Sequence, residues 1–290
     1  MGGYGWGHVQ ENELIEAVHA ALDCGITMFD TADTYGLGQS EKTLGKALGR
    51  KRNGVVIADK FGVRVGKNGT VYDNSPKYIR EALDASLTRL KTDYIDLYQV
   101  HYRDDSTPLA EVINVLDELK KSGKIRYYGL SNIHESDYDE IRPYVGKIVS
   151  IQDEYSLACR KNEKDLLELC SDFSISPLTW GSLGQGILTG KYTKDNIHFE
   201  SNDRRSRATY VNFHGEKLVK NLEIVETIKV IAQKYNKPVS AVAIRFILDY
   251  IPDSVVLFGA KRLSQVFGNV EASDWRLDDE DIKALDTISN

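Results

Sequence analysis

Short apolar stretches rich in β-branched residues alternate with longer segments of helical period along almost the whole chain. Alternation of this kind is typical of βαβ units, whose strands form a parallel sheet. The pattern predicts seven strands: GITMFD (25–30), VVIADK (55–60), YIDLYQVH (94–101), IRYYGLS (125–131), KIVSIQ (147–152), ISPLTW (175–180) and SVVLFG (254–259).

Two of the intervening helices carry clear start signals. In SPKYIREALDASLTRL, Ser75 is the predicted cap and Pro76 occupies the first helical position. In TPLAEVINVLDELKKSG, Thr107 is the predicted cap, Pro108 follows it and Gly123 ends the helix. Capped helices between apolar strands support an α/β fold.

The connection at residues 192–215 differs from the others because it is long, polar and aperiodic. Such a segment is either disordered or a mobile lid over a site, and we predict a lid. No linker divides the chain, so residues 1–290 are expected to form one domain. Parallel strands of this kind close into a (β/α)8 barrel or remain an open doubly wound sheet. Because no GxGxxG motif follows the first strand, the barrel is favoured.

Composition narrows the functional classes. The chain has 290 residues, of which 41% are hydrophobic and 28% charged, and a formal net charge of -6. This balance argues against general affinity for nucleic acids or anionic membranes. Cys24, Cys159 and Cys170 form no CxxC pair and no secreted disulfide pattern, so buried or neutral thiols are expected. Without an apolar run of about 18 residues or a secretory signal, a cytoplasmic location is expected.

Polar residues follow the first three predicted strands. Asp30 and Tyr35 follow the first, Lys60 ends the second and His101 ends the third. Singly, each has an ordinary explanation: a turn or cap residue, a ring covering apolar surface, a solvated charge, and a histidine satisfied by a neighbouring carboxylate. In a barrel, however, these strand ends surround one mouth. Together the four groups meet the requirements of proton transfer to a carbonyl oxygen.

Several motifs resemble the aldo-keto reductase superfamily, and the similarity covers essentially the whole chain. They are FDTADTYG, ADKFG, SPKYIREALDASLTRLKTDYIDLYQVH, GLSN, IQDEYS and GQGILTGKYT, in that order. The resemblance implies a (β/α)8 barrel that uses NADPH or NADH to reduce aldehydes and ketones without a metal. The catalytic tetrad of the family falls on Asp30, Tyr35, Lys60 and His101.

The chemistry of this tetrad follows from the charge that develops during reduction. Hydride reaches the carbonyl carbon, negative charge grows on the oxygen, and a positioned donor must supply a proton. Tyr35 is the expected donor, with Lys60 lowering its phenol pKa from about 10. Asp30 is expected to hold the ammonium, and His101 to orient the substrate oxygen.

The same resemblance implies three groups of coenzyme contacts. The nicotinamide group contains Ser131, Asn132, Gln152 and Trp180, unless Trp180 is simply a core residue. The pyrophosphate group contains Gly181, Ser182, Leu183 and Gln185. The adenosine-phosphate group contains Gly259, Ala260, Lys261, Arg262, Gln265 and Asn269. Within 192–215, Arg204 and Arg205 lie where related proteins fold a loop over the coenzyme, although either could be only a surface charge.

Coenzyme preference is expected to depend on Lys261 and Arg262, beside a predicted helix start. If they bind a 2′-phosphate they favour NADP(H) over NAD(H); otherwise they are a solvated basic pair. Gln265 and Gly268 stand where many family members have an arginine and a glutamate, which leaves the preference open. Asn269 matches the family.

The chain begins later than typical family members, which start with a hairpin and a first barrel strand; GGYGWG resembles the loop behind that strand. The expected fold is therefore a barrel lacking the N-terminal hairpin and first strand. The alternatives are a truncated sequence or a mis-set start, which we favour, a partner chain that fills the gap, and an opened barrel with reduced cofactor binding. The expected function is reduction of a small-molecule carbonyl substrate. The alternatives are an NADP(H)-binding regulatory or assembly subunit, as in the potassium-channel β-subunit branch, and an inactive remnant.

Overall fold

The computed structural model describes residues 4–66 and 69–290. It contains a sheet of seven parallel strands in the order β1-β2-β5-β6-β7-β8-β9. The strands are β1 Met28–Asp30, β2 Val56–Phe61, β5 Ile95–Val100, β6 Ile125–Ser131, β7 Ile148–Glu154, β8 Ser176–Trp180 and β9 Val255–Val256. Each lies within or overlaps a predicted strand, so the predicted set is confirmed. The sheet curls into a half-barrel with helices around it, as in (β/α)8 folds.

A hairpin that the sequence pattern did not reveal follows β2 directly. Its strands, β3 Val63–Gly66 and β4 Gly69–Tyr72, pair antiparallel and stand apart from the main sheet. Most of their side chains are exposed. The hairpin was missed because its short strands bury too little apolar surface to leave a periodic pattern.

Helices follow most strands along the chain. They are α1 Glu11–Asp23, α2 Gln39–Leu48, α3 Pro76–Leu90, α4 Leu109–Lys121, α5 Tyr138–Ile141, α6 Glu163–Phe173, α7 Gly215–Tyr235, α8 Val239–Tyr250, α9 Leu263–Val270 and α10 Asp279–Ser289. Within residues 4–66 and 69–290, no helix is both long and apolar enough to cross a membrane.

The two predicted helix starts have different outcomes. Ser75 caps α3 as predicted: its hydroxyl accepts a backbone hydrogen bond of 3.3 Å from the first turn, and Pro76 is the first helical residue. The prediction for α4 was wrong by one position, because Pro108 has extended backbone angles and itself stands at the cap. The Thr107 hydroxyl instead donates to Asp104 Oδ2 at 2.7 Å. The Thr107 hydroxyl thus binds the Asp104 carboxylate instead of capping the helix.

The strand register brings polar residues of neighbouring strands side by side. Lys60 pairs with Gln99 across β2 and β5, and Ser131 pairs with Gln152 across β6 and β7. All four are buried. Because the strands are parallel, their carboxyl ends lie at one edge, where functional residues of such folds collect.

The three cysteines are free thiols. Burial raises the pKa of Cys159 to about 11 and that of Cys170 to about 12. The Cys159 and Cys170 thiols therefore remain neutral near pH 7, as predicted.

Residues 192–215 connect β8 to α7 and contain two short 3₁₀ turns, Arg204–Ser206 and Val211–Phe213. The rings of Tyr192, Phe199 and Phe213 pack edge to face, with centroids 4.9 to 5.7 Å apart. These contacts give the segment its own small apolar cluster. That it moves as a lid stays a prediction.

Candidate active site

The structure brings the four predicted tetrad side chains together at the mouth of the half-barrel. Lys60 Nζ donates to both carboxylate oxygens of Asp30, at 2.6 and 2.7 Å, and to the Thr31 carbonyl at 2.7 Å. The Tyr35 ring centroid lies 5.1 Å from Lys60 Nζ and 5.7 Å from the centroid of the His101 ring. An acid, a phenol, an ammonium and an imidazole therefore share one neighbourhood. Their catalytic roles stay a prediction.

A tight turn after β1 places Tyr35 over the strand ends. Gly36, Leu37 and Gly38 all have left-handed φ angles, of 59°, 53° and 87°. Glycine adopts this conformation without steric cost, so it suits the two positions on either side of Leu37. At Gly36 a side chain would also collide with the Tyr4 ring, whose nearest atom lies 2.7 Å from the position of a Cβ.

The Lys60 ammonium is charged despite its burial, since its side chain is only 1% exposed. Burial lowers the pKa of Lys60, but Asp30 and Tyr35 raise it further, and the pKa lies above its ordinary value. Two hydrogen bonds to the Asp30 carboxylate and one to the Thr31 carbonyl also hold its Nζ in place. The site therefore contains a fixed cation next to a phenol.

The pKa of Tyr35 corrects an expectation from the sequence. Burial raises it and Lys60 lowers it, and the effect of burial is larger, so the pKa lies above its ordinary value. The sequence identified the cation but not the extent of desolvation. Near neutral pH the phenol is thus protonated, which is the form that a proton donor needs.

His101 is neutral. Burial, followed by the charge of Lys60, lowers its pKa to about 3. Its Nδ1 is buried and has no hydrogen-bond partner among the residues that the structure describes. The Asn132 side chain donates to the His101 carbonyl at 2.8 Å, which anchors the backbone there. A neutral imidazole has one N–H to donate and one nitrogen to accept.

The predicted nicotinamide residues lie beside the tetrad. Gln152 Nε2 donates to Asp30 Oδ2 at 2.9 Å and to Gln99 Oε1 at 3.3 Å. Asn132, in a left-handed conformation with φ 57°, donates to Ser131 Oγ at 3.1 Å. Gln152 therefore also fastens the carboxylate that holds Lys60. No local sequence signal showed this contact, because the two residues are 122 positions apart.

The predicted pyrophosphate residues begin where β8 ends. Trp180 is partly buried at the last position of the strand, and Gly181 follows with φ 71°. The Ser182 hydroxyl is buried between the carbonyls of Thr179 and Leu257, at 3.1 and 2.9 Å. It therefore ties the end of β8 to the segment after β9. The carbonyl of Leu183, the next residue, accepts the Gly186 amide at 2.8 Å.

Gln185 joins three parts of the mouth. Its Nε2 donates to Glu154 Oε1 at 3.0 Å, and its Oε1 accepts from Asn212 Nδ2 at 2.5 Å. Its carbonyl accepts a long hydrogen bond from Arg205, at 3.4 Å. Asn212 and Arg205 both belong to residues 192–215. Gln185 thus links that segment to the end of β7.

The predicted adenosine-phosphate residues surround the start of α9. Lys261 Nζ donates to the Trp6 carbonyl at 2.6 Å, and its backbone amide donates to Gln265 Oε1 at 2.7 Å. Arg262 is exposed, and its Nε lies 3.6 Å from Glu13. The remaining predicted residues lie between β9 and α9 or within α9: Gly259 and Ala260, and the buried Asn269.

Lys191, Arg205 and Lys261 interact electrostatically with the carboxylate of Asp203, and Arg262, which lies 3.6 Å from Glu13, adds a fourth positive charge to the two lysines. We name these four cations the cation cluster. Burial and then the charge of Arg205 lower the pKa of both lysines, and Asp203 only partly offsets this. Asp203 itself is paired with Arg205 at 2.5 Å. Excess positive charge of this kind, beside backbone rich in glycine, fits the phosphates of a dinucleotide. Lys191 was missed, although it lies within the motif GQGILTGKYT that resembles the family.

Below the tetrad lies an acidic group that the sequence reasoning also missed. Glu41 is buried and paired with Arg89, at 2.6 and 3.1 Å. Asp59, next to Lys60, is fully buried, and burial and nearby Glu41 raise its pKa well above the ordinary value. Burial raises the pKa of Asp33 to about 7. With one arginine for three carboxylates, the raised pKa values of the two aspartates reduce the negative charge of this group.

The comparisons with known proteins agree on one family. The model of the aldo/keto reductase family matches residues 1–290. Aldo-keto reductase YhdN of Bacillus subtilis is 38% identical over 291 residues, covering 99% of this chain and 87% of the relative. The NADH-specific methylglyoxal reductase of Escherichia coli is 35% identical over 297 residues, covering 97% and 89%.

A solved structure shows the same architecture. The glycerol dehydrogenase AKR11B4 from Gluconobacter oxydans superimposes with a TM-score of 0.88 at 37% identity, covering 99% of this chain and 88% of that one. The half-barrel, the tetrad geometry and the family match point to one conclusion. The chain belongs to the aldo/keto reductase family, whose members are oxidoreductases.

Proposed function

We propose that this oxidoreductase reduces an aldehyde or ketone to an alcohol with a nicotinamide coenzyme, and that Tyr35 donates the proton. The observation that carries the proposal is the contact set around Lys60. Its Nζ is bonded to both oxygens of Asp30 and lies 5.1 Å from the Tyr35 ring. A cation fixed beside a phenol favours the phenolate that remains after the proton has left.

A nicotinamide coenzyme, when bound, supplies the hydride for this reduction. The Tyr35 hydroxyl transfers its proton to the carbonyl oxygen as negative charge develops there. Lys60 stabilises the phenolate, and Asp30, held by Gln152, keeps the ammonium in position. Neutral His101 donates a hydrogen bond that orients the substrate oxygen.

The residues present fit a dinucleotide. The cation cluster would hold its phosphates, and Ser131, Asn132 and Gln152 would hold the nicotinamide carboxamide with Trp180 beside the ring. We favour NADP(H) because Arg262 is exposed beside the start of α9, where it is accessible to a 2′-phosphate. The E. coli relative is NADH-specific, so measured preference decides this point.

The test is steady-state oxidation of NADPH and of NADH by the purified chain with a panel of small aldehydes and ketones. A Tyr35→Phe variant should lower kcat by about 10²- to 10⁴-fold, as expected for loss of a general acid. Coenzyme affinity, followed by fluorescence titration, should not change. Tyr128→Phe is the matched control: it removes a hydroxyl that is bonded to Asp117 at 2.7 Å, away from the tetrad.

Two outcomes would contradict the proposal. Full activity of Tyr35→Phe would remove Tyr35 as the donor. Tight coenzyme binding without turnover of any carbonyl would favour a binding subunit over a reductase.

A further inference from the structure

One cation of the segment 192–215 lies near the tetrad rather than within the cation cluster. The Arg204 amide donates to the Gly5 carbonyl at 3.1 Å. Its Nε packs onto Gly5, 2.7 Å from the position that a Cβ there would occupy. The preceding residue, Tyr4, packs in the same way onto Gly36, which directly follows Tyr35. A continuous set of contacts therefore leads from the Arg204 guanidinium to the proposed proton donor.

The Arg204 guanidinium has no ion-pair or side-chain hydrogen-bond partner within residues 4–66 and 69–290, and the residue is only partly buried. The next residue behaves differently. Arg205 is paired with Asp203 at 2.5 Å and donates to the Tyr192 hydroxyl at 2.8 Å. Arg205 is thus held by its own segment, whereas no side chain that the structure describes occupies the five donors of the Arg204 guanidinium.

The charge balance at the mouth makes Arg204 important. The charges of Lys60 and Asp30 cancel, and both His101 and Tyr35 are neutral near pH 7. The Arg204 charge reaches the site, because it acts to lower the pKa of Tyr35. Its positive charge is therefore not offset within the tetrad.

Glu154, at the end of β7, is an acidic group that contacts the predicted coenzyme residues. It accepts from Gln185 at 3.0 Å and lies 3.1 Å from the position of a Cβ at Gly181. Both contacts are with residues assigned to the coenzyme. Glu154 is thus held by the predicted coenzyme segment and forms no ion pair with Arg204.

We propose that Arg204 recognises an anionic substituent of the substrate, so that the preferred substrates are aldehydes or ketones that carry a carboxylate. Guanidinium binds carboxylate through two parallel hydrogen bonds, which fixes orientation as well as charge. The proposal rests on the carbonyl reduction proposed above. It assigns Arg204 to the substrate, because the coenzyme phosphates already have the cation cluster.

The experiment compares matched substrate pairs: succinic semialdehyde with its amide, and para-carboxybenzaldehyde with its amide. Wild-type protein should show higher kcat/KM for the acid of each pair. Arg204→Gln should lower kcat/KM for the acids about 10-fold or more, mainly through KM, because a charge-assisted hydrogen bond is lost. The kcat/KM for the amides should change less than about threefold. The KM for the coenzyme should not change.

Two further variants sharpen the test. Arg204→Lys keeps the charge but loses the paired hydrogen bonds, so it should restore part of the preference for acids. Arg207→Gln removes an exposed arginine three residues along the same segment and should leave both substrate classes unaffected. Added salt should reduce the wild-type preference for the acids but not the rate with the amides.

The outcomes separate the two proposals. Equal loss with acids and amides in Arg204→Gln, an increase in coenzyme KM, or no wild-type preference for acids would overturn the role of Arg204. Absence of turnover with either member of both pairs would instead count against the reductase itself.

Discussion

Replacing Lys60 with methionine removes the cation between Asp30 and Tyr35 while keeping a side chain of similar length. The Nζ lies 5.1 Å from the Tyr35 ring centroid. At an effective dielectric constant of about 20, unit charges at this separation interact by ~3 kcal/mol. If the phenolate loses this stabilisation in the transition state, kcat falls on the order of 100-fold. Coenzyme affinity should be unchanged, since Lys60 lies outside the cation cluster.

The same change affects folding, because the Asp30 side chain is only 14% exposed. Removing one partner of a buried ion pair costs about 3–5 kcal/mol of unfolding free energy. Adding Asp30→Asn removes the stranded charge and should restore most of this stability without restoring the rate. The double variant therefore separates folding from catalysis.

The assay combines urea unfolding with single-turnover stopped-flow measurement of coenzyme oxidation. Lys42→Met, which alters an exposed lysine of α2, is the matched control and should behave as wild type in both. A single-turnover rate for Lys60→Met within about threefold of wild type would refute the electrostatic argument, because the ~3 kcal/mol computed from the distance predicts far more. Equal stability of Lys60→Met and wild type would refute the argument from burial.

Three further predictions concern folding and the mouth. The unfolding free energy should fall as pH drops from about 6.5 towards about 3, because the unfolded His101 binds a proton that the folded ring, with its pKa of about 3, resists. In urea titrations, this loss of unfolding free energy at acid pH should be smaller for His101→Asn. An equal loss would contradict the burial of the His101 ring. Gln185→Ala should increase amide hydrogen exchange in residues 204–213. It removes the hydrogen bond from Asn212 and the hydrogen bond to Glu154 of β7, each worth ~1 kcal/mol. Unchanged exchange would show that other contacts hold the segment. Gly45→Ala should cost about 1–3 kcal/mol in urea unfolding, because its Cβ would overlap the Leu90 carbonyl; a neutral effect would mean that the two helices separate easily.

Strands such as β2, β5 and β7 were predictable because they are buried on both faces over most of their length, so their apolar, β-branched runs leave a strong local pattern. β5 is buried along its whole length. The hairpin β3–β4 was not predictable, because most of its residues face solvent. The start of α4 was predicted one residue early, since the choice depended on Asp104, which lies outside the cap pattern.

Most of the candidate site followed from position along the chain. Asp30, Lys60 and His101 lie at or beside the ends of parallel strands, and parallel strands end at one edge. That topology, together with the family resemblance, is enough to predict that they meet. The hydrogen bond from Gln152 to Asp30 and the contribution of Lys191 to the cation cluster were not predicted.

The order of strands and helices, the parallel sheet and the set of chemical groups at its edge could be predicted from the amino-acid sequence, because these depend on local periodicity and on residue type. The behaviour of those groups depends on the folded surroundings. The raised pKa of Tyr35 depends on burial by residues distant in the chain. The separate roles of Arg204 and Arg205, adjacent in sequence, depend on which one meets Asp203. Desolvation and ion pairing are properties of three-dimensional surroundings, so no linear pattern contains them.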